Sequence, residues 1–120
     1  MQIDEIREYC LALPGVTEDI KWEDHLCFNI GEKMFLVTNP DQIPVSVTLK
    51  TTDERFEILI TQEGVLPAPY MARNKWVQID SLSRFNSEEW KLLIDTSYAL
   101  IFAKLPVKTK TALHPNWKKI

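Results

Sequence analysis

The sequence predicts an α+β domain in which one mostly antiparallel sheet carries its helices on one face. The chain has 120 residues, of which 45% are hydrophobic and 26% charged, and this mixture fits one globular domain. Short segments that alternate apolar and polar residues are joined largely by tight turns, as antiparallel strands are. Three other segments repeat apolar residues at the helical period, which gives the element order α-β-β-β-α-β-α.

The first helix is predicted over residues 2–13. Ile3, Ile6 and Cys10 recur at the helical period and form its apolar side. The helix is expected to stop at Gly15, because glycine adopts without steric cost the positive φ that closes many helices.

Three strands are predicted next. After a loop at residues 16–24, strands at 26–30 and 33–38 form a hairpin that turns at Gly31. The third strand, 45–50, has the clearest alternation in the chain. Its polar residues are therefore expected to face outward.

The second half of the chain supplies two helices and one strand. Helices at 51–61 and 86–104 each begin with a capping box, in which side chains satisfy the free backbone N–H groups of the first turn. A proline-rich loop at 66–70 leads to the last strand, 76–80. The longer helix ends where a proline follows, since proline disfavours helix at the preceding residue.

The sheet face opposite the helices is predicted to be partly open, because the strands are half polar. The alternation assigns residues to this face, and a shift of one residue would reverse the assignment. The residues assigned to it are Ser46, Thr48, Lys50, Trp76 and Gln78.

Motifs for phosphate cradling, structural zinc and nucleophilic catalysis are absent from the sequence. All three glycines serve turns or helix ends, so none remains for a dinucleotide or P-loop fingerprint. His25 and His114 are far apart and lack the spaced partners of a zinc site. We therefore expect a protein without enzymatic activity, cofactor or metal site.

A few individual side chains have chemical potential, but each has a simpler structural interpretation. Glu23, Asp24 and His25 could hold a metal weakly, whereas a turn of solvated charges explains them as well. Ser97 lies on the apolar stripe of the last helix, where a small residue allows close packing. Cys10 is expected to be buried in the first helix, which would raise its thiol pKa and suppress reactivity.

Charge is unevenly distributed along the chain. Residues 1–63 hold 13 acids and 5 bases, whereas residues 64–120 hold 4 acids and 9 bases. The last 17 residues carry five lysines and no acid, so this end could contact phosphate or simply be solvated. The acidic N-terminus is unlike a signal peptide and no run of 18 apolar residues occurs. We expect a cytoplasmic protein with reduced cysteines and no membrane span.

The segment Arg73-Asn74-Lys75-Trp76 combines two cations, an amide and an aromatic residue at the start of a strand. Cations can contact phosphates, and an exposed aromatic ring can stack on a base. In the alternative interpretation Trp76 packs under the proline-rich loop, and Arg73 and Lys75 are merely solvated.

Several short segments form an ordered series along the chain: Leu13 to Glu18, Lys33 to Phe35, Leu49-Lys50, Gly64 to Tyr70 with Trp76 after five more residues, and Ser97-Tyr98 before Lys104 to Pro106. In this order they resemble the MmcQ/YjbR family of small bacterial proteins over residues 1–108. The resemblance implies a frataxin-like fold described as a double-wing DNA-binding motif. Residues 109–120 form a lysine-rich tail outside it.

The resemblance and the basic segments together predict a non-enzymatic DNA-binding protein, monomeric, which contacts nucleic acid through lysines and an exposed tryptophan. The predicted contact residues are Lys33, Lys50, Arg73, Asn74, Lys75, Trp76, Lys104 and Lys108, of which the resemblance supplies Lys33, Lys50, Lys75, Trp76 and Lys104. One alternative is a protein-interaction or regulatory domain that uses Trp76 with Pro67 and Pro69. A second is frataxin-like metal handling by the acidic helix face of Asp4, Glu5 and Glu8.

Overall fold

The computed structural model describes residues 1–119. Its helices are α1 (Ile3–Ala12), α2 (Asp53–Leu59), α3 (Ser87–Ala103) and α4 (Val107–Leu113), with short 3-10 turns at Ala72–Asn74, Leu82–Arg84 and Trp117–Lys119. Its strands are β1 (Thr17–Lys21), β2 (His25–Ile30), β3 (Lys33–Thr38), β4 (Val47–Lys50), β5 (Val65–Pro67) and β6 (Trp76–Ile79).

The strands form one six-stranded antiparallel sheet in the order β1-β2-β3-β4-β6-β5. Helix α3 packs across β2, β3 and β4, and α2 lies against β6. The predicted α+β class, with one antiparallel sheet covered by helices on one face, is confirmed.

The strand register separates the residues of the sheet into two faces. One row faces the helices and is buried in the core: Phe28, Leu36, Leu49 and Val77. The row beside it faces the opposite way: Cys27, Val37, Thr48, Gln78 and Leu66. The side chains of β4 and β6 therefore point to the sheet faces that the alternation predicted.

Strand β3 contains a bulge that enlarges the core. The β2–β3 register shifts so that Leu36 lies opposite Phe28 while Met34 lies opposite Asn29, which leaves Phe35 as an extra residue. Both Phe35 and Leu36 are fully buried in the core cluster. Met34 is left facing the open side of the sheet.

Two edge strands were not predicted from the sequence. The expected loop at 16–24 contains β1, and the beginning of the proline-rich loop is β5. β1 is mostly exposed and lacks an apolar alternation, because an edge strand needs few buried side chains. β5 has three residues and includes Pro67, which is tolerated at an edge where no backbone N–H is required.

The C-terminal segment folds back onto the domain. The predicted boundary after residue 108 lies inside α4. Leu113 of α4 packs against the core, and a side chain at Gly15 would lie 3.0 Å from its Cβ atom. The ring of Phe102 in α3 meets the rings of His114 and Trp117. The last residue of the predicted tail, residue 120, lies outside the described residues.

Among residues 1–119, no helix combines the length and the apolar character needed to cross a membrane.

Candidate functional site

Trp76 is buried, so the prediction of an exposed indole is wrong. It lies opposite Lys50 on the open side of the sheet, as its register requires, but only 6% of it is exposed. The segment from Ala68 to Met71 is bonded to its backbone: the Ala68 amide donates to the Trp76 carbonyl at 3.0 Å, and the Trp76 amide donates to the Met71 carbonyl at 3.3 Å. Trp76 is thus buried beside the proline-rich loop, as in the alternative interpretation.

Lys50 is also buried, with 8% of its surface exposed, and is not the free cation that was predicted. Its ammonium donates to the backbone carbonyl of Asn74. Burial lowers the pKa of Lys50, Lys104 lowers it further, and Asp53 opposes the shift. Lys50 therefore holds the 72–74 turn against the sheet and adds positive charge from below the surface.

Of the five residues assigned to the open face, Ser46 is buried as well. The Ser46 carbonyl accepts a hydrogen bond from Thr38 Oγ1 at 2.7 Å. Only Thr48 and Gln78 remain partly exposed there, opposite each other on β4 and β6.

The remaining predicted contact residues differ in how they are presented. Arg73 and Asn74 are exposed on the turn that follows Met71, and Lys108 is exposed in the first turn of α4. Lys75 is half-buried, with its ammonium 4.9 Å from the centre of the Phe56 ring. This cation–π contact orients Lys75 along α2.

Two predicted lysines from opposite ends of the chain do come together. Lys33, at the start of β3, and Lys104, after the last turn of α3, line one cleft of about 360 Å³. Met34, Ile101 and Leu105 complete its lining. Both lysines are exposed, so this basic cleft presents two cations beside an apolar lining.

A second depression lies on the open face of the sheet. The floor of this open-face groove, of about 330 Å³, is formed by Val37, Thr48 and Gln78 from three adjacent strands. One wall comes from the β1–β2 turn, and the other comes from the loop at residues 68–71. The wall residues are Trp22 and His25 on one side and Ala68, Pro69, Tyr70 and Met71 on the other, with Met34 also in the lining.

The two wall aromatics are held outward by unusual backbone geometry. Trp22 has φ of 51° and is 65% exposed, and Tyr70 has φ of 64° and is fully exposed. A positive φ is uncommon for bulky residues and often marks a functional site. The Trp22 ring meets the His25 ring edge-on, with centroids 5.6 Å apart.

Neither Trp22 nor Tyr70 was among the site residues predicted from the sequence. Trp22 lay in a segment expected to be a loop, and Tyr70 at the end of one. The available signal was the presence of large aromatic residues next to turn positions, where no core position requires them. Their convergence depends on the strand order, which the sequence pattern does not give.

Charge is unequal around the groove. Glu23 and Asp24 are exposed beside Trp22, and His25 Nδ1 lies 2.8 Å from Asp24 Oδ1 without the alignment of a hydrogen bond. At the other end Met34 lines both the open-face groove and the basic cleft, so the two are neighbours. The groove thus runs from an acidic turn towards a pair of lysines.

The described residues contain no group of three or more His, Cys, Asp or Glu side chains arranged to hold a metal ion. Asp24, His25 and Asp41 line a further depression of about 440 Å³ together with Asn39 and Gln42. In α1, Glu5 accepts a hydrogen bond from the Gln2 amide in a capping box, so this acid serves the helix start.

An open antiparallel sheet with helices on one face and a groove on the other defines a small α+β domain of the open-sheet class. A family model, YjbR, matches residues 11–100, and the chain belongs to the YjbR family. The resemblance predicted from short sequence segments is therefore confirmed.

Two solved structures share this architecture. Deinococcus radiodurans protein DR2400, with a DUF419 domain, is 25% identical, with a TM-score of 0.84 over 93% of this chain and 87% of that one. A protein from Pseudomonas syringae is 22% identical, with a TM-score of 0.69 over 83% of this chain and 98% of that one, and this likeness concerns the fold alone. Comparison with curated proteins gives no match.

Proposed function

We propose that this protein is a non-enzymatic nucleic-acid-binding domain whose contact surface is the open-face groove together with the basic cleft. The observation that carries the proposal is that Met34 lines both depressions, which makes aromatic walls and exposed lysines parts of one continuous surface. The surface replaces the one expected around Trp76, which is buried.

The basic cleft would supply the phosphate contacts. Lys33 and Lys104 are exposed and free to approach a phosphate, and buried Lys50 adds a nearby positive charge. Binding a phosphate to a lysine releases condensed counterions, so affinity falls as salt rises. The Arg73 side chain, exposed on the turn beyond Tyr70 and Met71, could extend the same path.

The absence of a prepared nucleophile supports binding rather than catalysis among the described residues. Both cysteines, Cys10 and Cys27, are buried and unpaired, and burial raises the pKa of the Cys10 thiol to about 12. Ser97, the candidate hydroxyl on α3, is fully buried and bonded to backbone. We propose that the protein is a monomer in the cytoplasm, where free cysteines stay reduced.

Salt-dependent binding tests this function. Anisotropy of a short labelled oligothymidylate is measured over a range of salt for the native protein and for Lys33→Gln/Lys104→Gln. The native protein should bind with an affinity that falls steeply as salt rises. The variant should show a less steep dependence, with the slope of log K against log salt less negative by about 1.4, since each phosphate contact on a single strand contributes about −0.7.

A matched control makes the same Lys→Gln changes at two lysines elsewhere, Lys91, which is partly exposed, and Lys118, which is exposed. It should leave the slope close to that of the native protein. Binding that does not respond to salt would contradict the proposed interface. So would a control that reduces the salt dependence as much as the cleft variant does.

A protein-interaction role is the second candidate, and one observation favours it. Leu66 is 59% exposed on β5, an edge strand of three residues, and lies near exposed Pro67 and Pro69. An exposed apolar edge can dock another chain. Recovery of one stoichiometric protein partner, lost in Leu66→Asp, would support this role, and loss of the partner in Lys33→Gln/Lys104→Gln instead would contradict the use of this edge.

A further inference from the structure

The open-face groove has the form of a site for one planar ring, and we infer that it receives a single unstacked base, so that the protein prefers single strands to duplexes. This inference rests on the proposed nucleic-acid-binding function and adds to it the form of the nucleic acid and the place of the base. The groove volume of about 330 Å³ is at the small end of the range for ligand sites, roughly 300–1,000 Å³, which suits one ring system.

The walls supply stacking surfaces. Trp22 and Tyr70 stand on opposite sides of the groove, and neither ring is used to fill the core, since Trp22 is 65% exposed and Tyr70 fully exposed. Every nucleic-acid base has a π-face, so stacking on such rings is tolerant of sequence. A base lying between them would bury apolar surface that is open to water in the free protein.

The floor supplies polar groups to the edge of that base. Thr48 and Gln78 lie side by side on β4 and β6 and are partly exposed. Neither side chain makes a hydrogen bond to another described residue, so the Thr48 hydroxyl and the Gln78 amide remain available. Together they offer both donors and acceptors, which match the mixed edge of a base without selecting one base strictly.

The two walls of the groove disfavour binding of a duplex. A paired base is stacked above and below, and it cannot enter a groove walled on both sides unless it leaves the stack. Extruding a base from a duplex costs a few kcal/mol, whereas a single strand presents it at far lower cost. The same groove therefore predicts weaker binding to a duplex of the same sequence.

The charges around the groove determine on which side the sugar–phosphate backbone of the bound strand lies. Glu23 and Asp24 lie beside the Trp22 wall and repel phosphate, while Lys33 and Lys104 lie beyond Met34 and attract it. With the base in the groove, the adjoining phosphates would lie on the basic-cleft side. The base site and the phosphate site are thus separable by mutation.

Binding measurements with three probes at one low salt concentration test this inference. The probes are a short labelled single strand, its duplex, and the same single strand with abasic sites; the variant is Trp22→Ala/Tyr70→Ala, and Leu92→Ala is the control at an exposed apolar position on α3. The native protein should bind the single strand at least tenfold more tightly than either other probe. The aromatic variant should lose about ten- to hundredfold on the single strand, the scale of one lost stacking contact.

The outcomes separate the two claims. Equal affinity of the native protein for all three probes, with Lys33→Gln/Lys104→Gln still weakening them, would overturn the base site and leave the proposed function standing. Absence of binding to every probe would overturn both. Because the abasic probe uses the native protein, the test stands even if the aromatic variant does not fold.

Discussion

Ser97 joins the last long helix to the end of a strand pair. The β3–β4 ladder stops at the Leu36–Leu49 pair, and the Ser97 hydroxyl lies between the next two residues, Phe35 and Lys50. It donates to the Phe35 carbonyl at 2.6 Å and accepts from the Lys50 amide at 3.0 Å. A residue that the sequence marks only as small is therefore a fully buried hydrogen-bonding bridge.

Ser97→Ala should destabilise the protein by about 2 to 6 kcal/mol, because it leaves two buried backbone groups without a partner at roughly 1–3 kcal/mol each. Denaturant unfolding of this variant, beside Thr96→Ala on the same helix, measures the effect. Thr96 is partly exposed, and its change should cost far less. Equal destabilisation of the two variants would show that the bridge contributes little.

The contrast between Trp76 and Trp22 shows which residue properties a sequence pattern can predict. Alternation along a strand gives the direction of a side chain, and Trp76 does point to the open side of the sheet. Exposure depends also on the neighbouring segments, and Trp76 is buried where the chain from Ala68 to Met71 bonds to its backbone. Trp22 became a wall of the groove because a turn adopts positive φ, which no hydrophobic period encodes.

At the scale of elements, the connection from α2 into β5 depends on a glycine. Gly64 has φ of 83°, a conformation that side chains disfavour, and its carbonyl accepts a hydrogen bond from the Asp80 amide at 2.9 Å. A side chain there would overlap Arg84 Nε, which donates to Asp80 Oδ1 at 2.8 Å. This turn thus holds the short edge strand β5 against β6.

Gly64→Ala should cost about 1 to 3 kcal/mol of stability through the strained φ and the displaced Arg84. In an Arg84→Ala background the same change should cost less, because only the φ strain remains. Thermal melts of the four proteins measure this double-mutant cycle. An identical cost in both backgrounds would contradict the role assigned to Arg84.

The same contact gives the expected pH dependence. The hydrogen bond from Arg84 lowers the pKa of Asp80 in the folded protein. This hydrogen bond therefore stabilises the fold at pH values above the unfolded-state pKa of Asp80, and the stabilisation is lost as pH falls through the folded-state pKa. Gly64→Ala displaces Arg84 and weakens this hydrogen bond. The difference in free energy of unfolding between the native protein and Gly64→Ala should therefore become smaller at pH values below the ordinary aspartate pKa.

Long, strongly marked elements were predictable, and short ones were not. The capping box at Asn86 and Glu89 predicted the start of α3, and hydrogen bonds in both directions are present there. β5 and α4 have three and seven residues, too few to establish a period, and both are held by tertiary contacts. Leu113 packs where Gly15 leaves room, a contact between distant parts of the sequence.

For the whole molecule, the uneven charge of the sequence did not predict where a basic surface lies. The basic cleft takes Lys33 from the acidic half of the chain and Lys104 from the basic half. The packing of α3 across the sheet brings its end beside the start of β3, so charges far apart in sequence become neighbours. The family resemblance is confirmed, whereas the proposed contact surface follows only from the three-dimensional arrangement.

Amide NMR would locate the nucleic-acid interface on the protein and so test whether binding occurs at the open face. Titration of the isotope-labelled protein with a short oligothymidylate should shift the amide signals of residues that border the groove and the cleft, notably Met34, Thr48, Tyr70, Gln78 and Lys104. Signals on the outward side of α2 and in the early turns of α3 should stay in place. Shifts confined to those helices, or no shifts at all with excess oligonucleotide, would contradict binding at the open face.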